Sequence, residues 1–373
     1  MCKRIGFPAL LILFASFTVL AAQEQKTNGE VLQKVKTMGK GSLLYPAGPV
    51  PMITFGALLV VDEGELLLFD AGGEQPFQHI DVKTEEITPF GSWGQGPGEI
   101  DNNAFVILSQ TTDHIYAFNM VAHTLHRFDR KMRHERSLVL EDFSSTMSVM
   151  LQVNEDDLFF AEYGLDADQQ FNEAFFETFT SENQALINKD EPVLFYEEHP
   201  ELHPIRENNA LKHGPIVKAR DNTVYAGNVF GSVILGINTD GEVVFKTDQP
   251  EQAPIPEAEQ RVVNGYRVGE PEQNVFRNID LAVNSEHVFA LYSGIEATFD
   301  EASRFIMHGD IDEDRRIGEA KTVRLYNRDD ASYAGEYHLP EWTVAIAADE
   351  QYLYAVVWDR EPYLMVLQLP EIE

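Results

Sequence analysis

The chain has 373 residues, with 28 Lys and Arg against 61 Asp and Glu and a formal net charge of −33. That balance excludes a protein that grips a phosphate backbone through a basic stripe, and it argues against adhesion to an anionic membrane surface. Apolar residues make up 44% and aromatics 11%, too rich for a disordered acidic tail and enough for a large core.

Lys3 and Arg4 precede an apolar run from Phe7 to Ala22, which ends Val19-Leu20-Ala21-Ala22-Gln23. This is the pattern of a secretory signal peptide cut after Ala21 or Ala22. The run is short for a spanning helix and no basic stop-transfer flank follows. Cys2, the single cysteine, lies ahead of the run, whereas a lipid-anchored protein carries its Cys just after it. Residues 1–22 are therefore predicted to be a signal peptide. Residues 23–373 are predicted to be one soluble, cysteine-free exported domain, periplasmic or extracellular and not a lipoprotein.

One pattern then recurs: an apolar strand, a polar turn, and a second strand rich in branched and aromatic residues. Its copies are 58–70, 107–119, 150–162, 216–228, 280–292 and 345–357. Six hairpins with nearly continuous apolar strands predict an all-β fold, a six-bladed β-propeller whose blades bury both faces. Further strands are predicted at 233–238, 243–246, 323–327, 333–339 and 363–369. The last blade then lacks its outer strand, which Val31–Met38 or Leu43–Pro51 is expected to supply from the N-terminus.

Phe90–Ile100 reads FGSWGQGPGEI and leads into the hairpin at 106–119. This resembles the inter-blade signature of NHL-type and TolB-like six-bladed propellers. Val288–Gly294, Thr322–Asn327 and Tyr337–Pro340 are similar to the last blades of exported six-bladed propellers of two-membrane bacteria. The resemblance covers roughly residues 40–370. It implies fold and export, and carries no catalytic motif.

Candidate sites follow from the aligned hairpins. Lys218 and Asp280 stand on first strands where most copies are apolar or small, so they either pair with each other across a blade boundary or face a wet channel. Asp70, Asn119, Glu162 and Asn228 end the second strands. They cap the next turn or, as oxygen ligands, converge on an ion, for which Ca²⁺ is the expected choice. His213, Arg277 and Trp342, at the mouths of first strands, form an expected recognition rim, with Arg206, Arg261 and Arg267 nearby. That basic reversal in an acidic chain favours an anionic ligand.

Other motifs weigh less. Gly94-x-Gly96-x-Gly98 lacks nucleotide-loop spacing, Pro97 removes an amide and Glu99 repels phosphate, so it reads as a tight crossing between blades. Asp310, Asp312 and Asp314 alternate as in a Ca²⁺ loop, but Arg315 and Lys321 stand where the loop wants Gly and Glu. His199 and His203, with His213, are weighed as zinc ligands against a polar loop. His123 and His126, three apart in one predicted strand, point to opposite faces. There is no Gly-x-Ser-x-Gly, cysteine nucleophile or clean metal triad. The favoured expectation is a monomeric binding module for a protein, peptide or glycan, with no nucleic acid. The second is a Ca²⁺-dependent hydrolase or lyase working at the channel mouth.

Overall fold

The structure, a computed structural model, describes residues 58–70, 74–96, 98–101, 106–119, 122–140, 214–221, 223–238, 242–247, 275–297, 316, 318–357 and 363–369. For the strands within 26–35, 148–195 and 258–271 it describes the main chain alone. The predicted signal segment lies outside the described residues. Among the described residues no helix is long and apolar enough to cross a membrane.

Strands follow one another throughout. β1 (Lys26–Asn28) and β2 (Val31–Val35) come first. β3 (Leu58–Asp62), β4 (Glu65–Phe69), β5 (Phe77–Asp81) and β6 (Glu86–Phe90) make an antiparallel meander. β7 (Val106–Gln110), β8 (His114–Asn119), β9 (Thr124–Asp129) and β10 (His134–Leu140) make a second. The third comprises β11 (Ser148–Val153), β12 (Asp157–Glu162), β13 (Ala174–Glu182) and β14 (Ala185–Asn188), with β15 (Leu194–Phe195) against β13. A parallel pair, Val139 opposite Ala185, joins it to the second. β16 (Ile216–Lys218), β17 (Val224–Gly227), β18 (Ile234–Ile237) and β19 (Val243–Lys246) form the next meander, and β20 (Ala258–Val263) and β21 (Tyr266–Pro271) a separate hairpin.

The last sheet is the most informative. β22 (Asn278–Val283), β23 (His287–Tyr292) and β24 (Ala320–Asn327) lead into the long β25 (Tyr333–Ala348). The first half of β25 pairs with β24, Tyr337 opposite Val323, and its second half pairs with β26 (Tyr352–Val357), Ile346 opposite Ala355. β27 (Tyr363–Gln368) follows, and β2 lies antiparallel on it, Lys34 opposite Met365. All six hairpins expected from the sequence are present in these pairings.

The near-continuous apolar second strands have a direct cause. Alternate side chains of a strand point to opposite faces, and here each face meets a different neighbouring meander. On β4, Leu66 and Leu68 pack with Tyr354, Val356 and Val366, while Leu67 and Phe69 pack with Ile115, Ala117 and Phe128. On β23, Phe289 and Leu291 join one cluster and Val288 and Ala290 another. The first strands are also neighbours in series: β25 lies within 8 Å of β22 and β3, β3 of β7, β7 of β11, β11 of β16, and β16 of β22. Meanders packed face to face around their first strands are the arrangement of a β-propeller.

Gly236 on β18 sits between Tyr225 and Phe245, its two register partners. Their rings meet edge to face, with centroids 5.1 Å apart. A Cβ on Gly236 would lie 2.6 Å from the Phe245 Cβ and 2.8 Å from the Tyr225 ring, so the glycine is the gap that lets the two rings close. Gly236→Ala is expected to cost about 1–3 kcal/mol by overpacking. Urea unfolding of the two proteins at one pH checks this, and superimposable curves would refute it.

Candidate functional site

Two ends of the meanders differ in chemistry. One carries the turns between first and second strands and is called the turn face; the other carries the connections between meanders. Of the described residues singled out from the sequence, most serve as joints at one end or the other.

Lys218 and Asp280 do not pair. Lys218 Nζ donates to the Gln110 carbonyl on β7 at 3.0 Å, and burial pulls it down to about 8. The Gln110 amide in turn donates to the Val60 carbonyl and accepts from Arg130 at 2.8 Å. Asp280 is 7% exposed. Its carboxylate accepts from Leu281 N at 2.9 Å and from Ile346 N on β25 at 2.8 Å, and burial pushes it up to about 7.

On the connection face, Asp70 accepts from Gln78 Nε2 at 2.5 Å. Asn119 Oδ1 accepts from Ala122 N at 3.1 Å, and Asn228 Oδ1 from Phe230 N and Gly231 N at 2.9 Å each. Both asparagines thus cap the turns that follow them. The Glu162 side chain, His213, Arg206 and the Arg261 and Arg267 side chains lie outside the described residues, as do His199, His203 and the acidic run at 310–314. Among the described residues no group of three or more His, Cys, Asp or Glu is placed to hold a metal ion.

Arg277 is buried, not on a rim. Its guanidinium donates to the Phe230 carbonyl and to Val275 O at 3.3 Å, tying β22 to the connection after β17. Trp342 is half-buried on β25, with Lys321 Nζ 5.4 Å and the Arg316 guanidinium 5.9 Å from its ring centre. The two lie within range of cation–π attraction.

A cleft of about 950 Å³ opens elsewhere on the connection face. Its walls are the Gly-rich crossing from Gly94 to Asp101 and the paired strands β9 and β10, with Asn119 and Ala122 beside them. The crossing is held by Gly94 N to Ile100 O at 2.8 Å and by Gly96 N to the Glu99 carboxylate at 2.8 Å. Trp93 anchors it, edge-on to Phe69 and packed against the core. Gly98 has φ 80° and lies so close to the His134 ring that a Cβ would come within 2.6 Å of Nδ1. Only glycine fits both requirements.

The chemistry of the cleft sits on β9 and β10. Ser137 lies opposite His126 in register. Its Oγ is 3.0 Å from His126 Nδ1 and 3.0 Å from His134 Nε2. Residues three apart in a regular strand face opposite ways, but the register shifts between His134 and Arg136. That bulge puts His134 and Ser137 on one face. His126 is 4% exposed, and burial, with repulsion from His134, pulls it down to about 4. Burial also lowers His134, opposed by a backbone hydrogen bond at Arg136. In both imidazoles burial favours the neutral form.

The sequence reading missed this trio. It placed His123 and His126 in one strand, whereas His123 has φ 49° and sits in the turn before β9. The available signal was a His and a Ser at mirrored positions about the turn between β9 and β10.

No protein-family model matches the chain, and no curated protein matches it in sequence. Solved structures do resemble it. A member of the DUF4221 family from Bacteroides vulgatus aligns with a TM-score of 0.53 at 8% identity, over 91% of this chain and 100% of that one. A presumed exported protein of Bacteroides fragilis gives 0.48 at 11% identity over 94% and 98%, respectively. Virginiamycin B lyase from Staphylococcus aureus gives 0.47 at 12% identity over 90% and 99%. The likeness at 0.53 agrees with the strand topology described above, and the chain has the all-β fold of a β-propeller.

Proposed function

We propose that the protein is an exported six-bladed β-propeller of the TolB-like or NHL-like kind, and that it binds a protein, peptide or glycan in the cleft beside the Gly94–Asp101 crossing. The cyclic adjacency of β25, β3, β7, β11, β16 and β22 supports six blades. On this reading each of the two largest sheets is a pair of blades, one pair sharing the long β25 and the other joined at Val139 and Ala185. The pairing of β2 with β27 supports closure by the N-terminus. The apolar run at 7–22 supports export.

The observation that carries the binding reading is the cleft itself. It is roomy, and its lining combines carboxylates, imidazoles, hydroxyls, amides and a guanidinium. Concave sites with a few convergent polar groups are where ligands bind. The joints at Lys218, Asp280 and Arg277 leave those side chains committed to main-chain partners.

Hydrogen–deuterium exchange on the purified protein, with pools of soluble oligosaccharides and of peptides, tests this. Exchange at 92–101 and 134–137 is expected to slow with one pool. Ala122→Trp, which fills the cleft from an exposed position, is expected to remove that protection. Protection confined to the surroundings of Trp342, or none with either pool, would overturn the assignment.

A further inference from the structure

We propose that Ser137 is a nucleophile for acyl transfer and that the cleft hydrolyses carboxylic esters. This rests on the reading of the cleft as a ligand site and adds a reaction to it.

The argument begins with proton counting. A serine hydroxyl carries one proton, so between two neutral imidazoles it donates to one and accepts from the other. The His134 ring, directed at Ser137 through Nε2, is the acceptor once its other nitrogen carries the proton. His126 Nδ1 then donates to the same oxygen. The hydroxyl therefore has a base within reach, and a second N–H points at the reacting oxygen. That is the arrangement of an activated nucleophile. All three side chains line the cleft.

In the reaction, Ser137 Oγ forms a bond to the ester carbonyl carbon as its proton passes to His134 Nε2. The carbonyl π electrons move onto oxygen, while the His126 N–H stays directed at the serine oxygen. Collapse breaks the bond from carbon to the alkoxy oxygen, which leaves as the alcohol with the proton from His134. Water then gives a proton to His134 and attacks the acyl carbon. Collapse then breaks the bond from carbon to the serine oxygen, which takes the proton back from His134, restoring Ser137 and releasing the carboxylic acid.

The crossing also limits the substrate. Gly94 N and Gly96 N are already bonded to Ile100 O and to Glu99, so those two amides are not spare donors. Glu99, Asp101 and Glu135 line the walls against one cation of the lining, Arg136. A neutral or cationic ester is favoured over an anionic one.

The test uses a fluorophosphonate probe and p-nitrophenyl acetate on the purified protein. A single phosphonyl adduct on Ser137, located by peptide mass mapping, and a burst of nitrophenolate are expected. Ser137→Ala and His134→Ala should each lower the steady-state rate by roughly 10²-fold or more, with thermal unfolding unchanged within a few degrees. His126→Ala should lower it less, since the base remains. No adduct on Ser137 of the unaltered protein, or an unchanged rate in Ser137→Ala, overturns the proposal. If Ser137 stays unlabelled while Ala122→Trp still abolishes ligand protection, the catalytic inference fails and the binding reading stands. If ligand protection is also missing, both fail.

Discussion

Replacing Asp349 by Ala is expected to destabilise the fold by about 3–5 kcal/mol, the cost of leaving several buried donors around a vanished carboxylate. Asp349 is 3% exposed at the turn between β25 and β26. Its Oδ1 accepts from Gln351 N at 2.8 Å and Tyr352 N at 2.7 Å. Its Oδ2 accepts from Tyr354 Oη at 2.5 Å and, across to the first meander, from Gly64 N at 2.9 Å. Its own carbonyl accepts from Asn284 Nδ2 at 3.2 Å. One residue therefore links the turns of three meanders. Asp349→Asn keeps two acceptor lone pairs but turns an NH₂ toward existing donors, so it should cost less than Ala and more than Tyr354→Phe, which deletes a single donor. Urea unfolding of the three variants at pH 7 measures the order. A loss under about 0.5 kcal/mol for Asp349→Ala, the scatter of ordinary surface changes, would mean that this joint contributes little.

Other joints on the turn face are built alike. Arg328 reaches Asp221 at 2.6 Å, the Tyr225 hydroxyl at 2.9 Å and Asn284 O at 3.1 Å. Arg130 donates to Val61 O at 3.3 Å while holding Gln110. Each acts sideways, between meanders, where sheet hydrogen bonds do not reach. The polar turns of the repeat thus do more than reverse the chain.

How far such features were legible depends on whether they follow strand parity. The hairpins were, because second strands such as Leu66–Phe69 must be apolar on both sides to fill two interfaces. So was the incomplete last meander, whose third strand β27 ends the pairing until β2 arrives from Val31–Val35. Asn119 and Asn228 as turn caps were equally readable from their positions. Parity misled in two places. Aligning the repeats put Lys218 two residues and Asp280 four before their turns, a stagger of about 7 Å along a strand. Each side chain meets a main-chain partner before the other: Lys218 spans to Gln110, and Asp280 reaches Leu281 N and Ile346 N. The cleft trio was hidden for the opposite reason. Ser137 and His134 have the wrong spacing to share a face, and the bulge that corrects this leaves no sequence signal of its own.

The second large effect is a dependence on pH that most carboxylates would not produce. Asp280 ionises near 3.9 in an unfolded chain and near 7 when folded, because burial outweighs its two backbone hydrogen bonds. Between those values the folded protein holds the proton that the unfolded chain has released, so raising the pH favours unfolding. The contribution falls by about 1.4 kcal/mol per pH unit from roughly pH 4 to pH 7 and is level above it, a total of roughly 4 kcal/mol. Self-repulsion in a chain of net charge −33 changes stability in the same direction, so the comparison must be with Asp280→Asn, which has no proton to lose. The amide oxygen can still accept from Ile346 N, but the NH₂ opposes Leu281 N. The variant should therefore be less stable than the unaltered protein at pH 4.5 and more stable at pH 8.5, with the two stability curves crossing between. Parallel curves across that range would mean that Asp280 keeps an ordinary carboxylate pKa. A crossing would identify it as an acid retained for its joint between β22 and β25, at a cost felt only where it ionises.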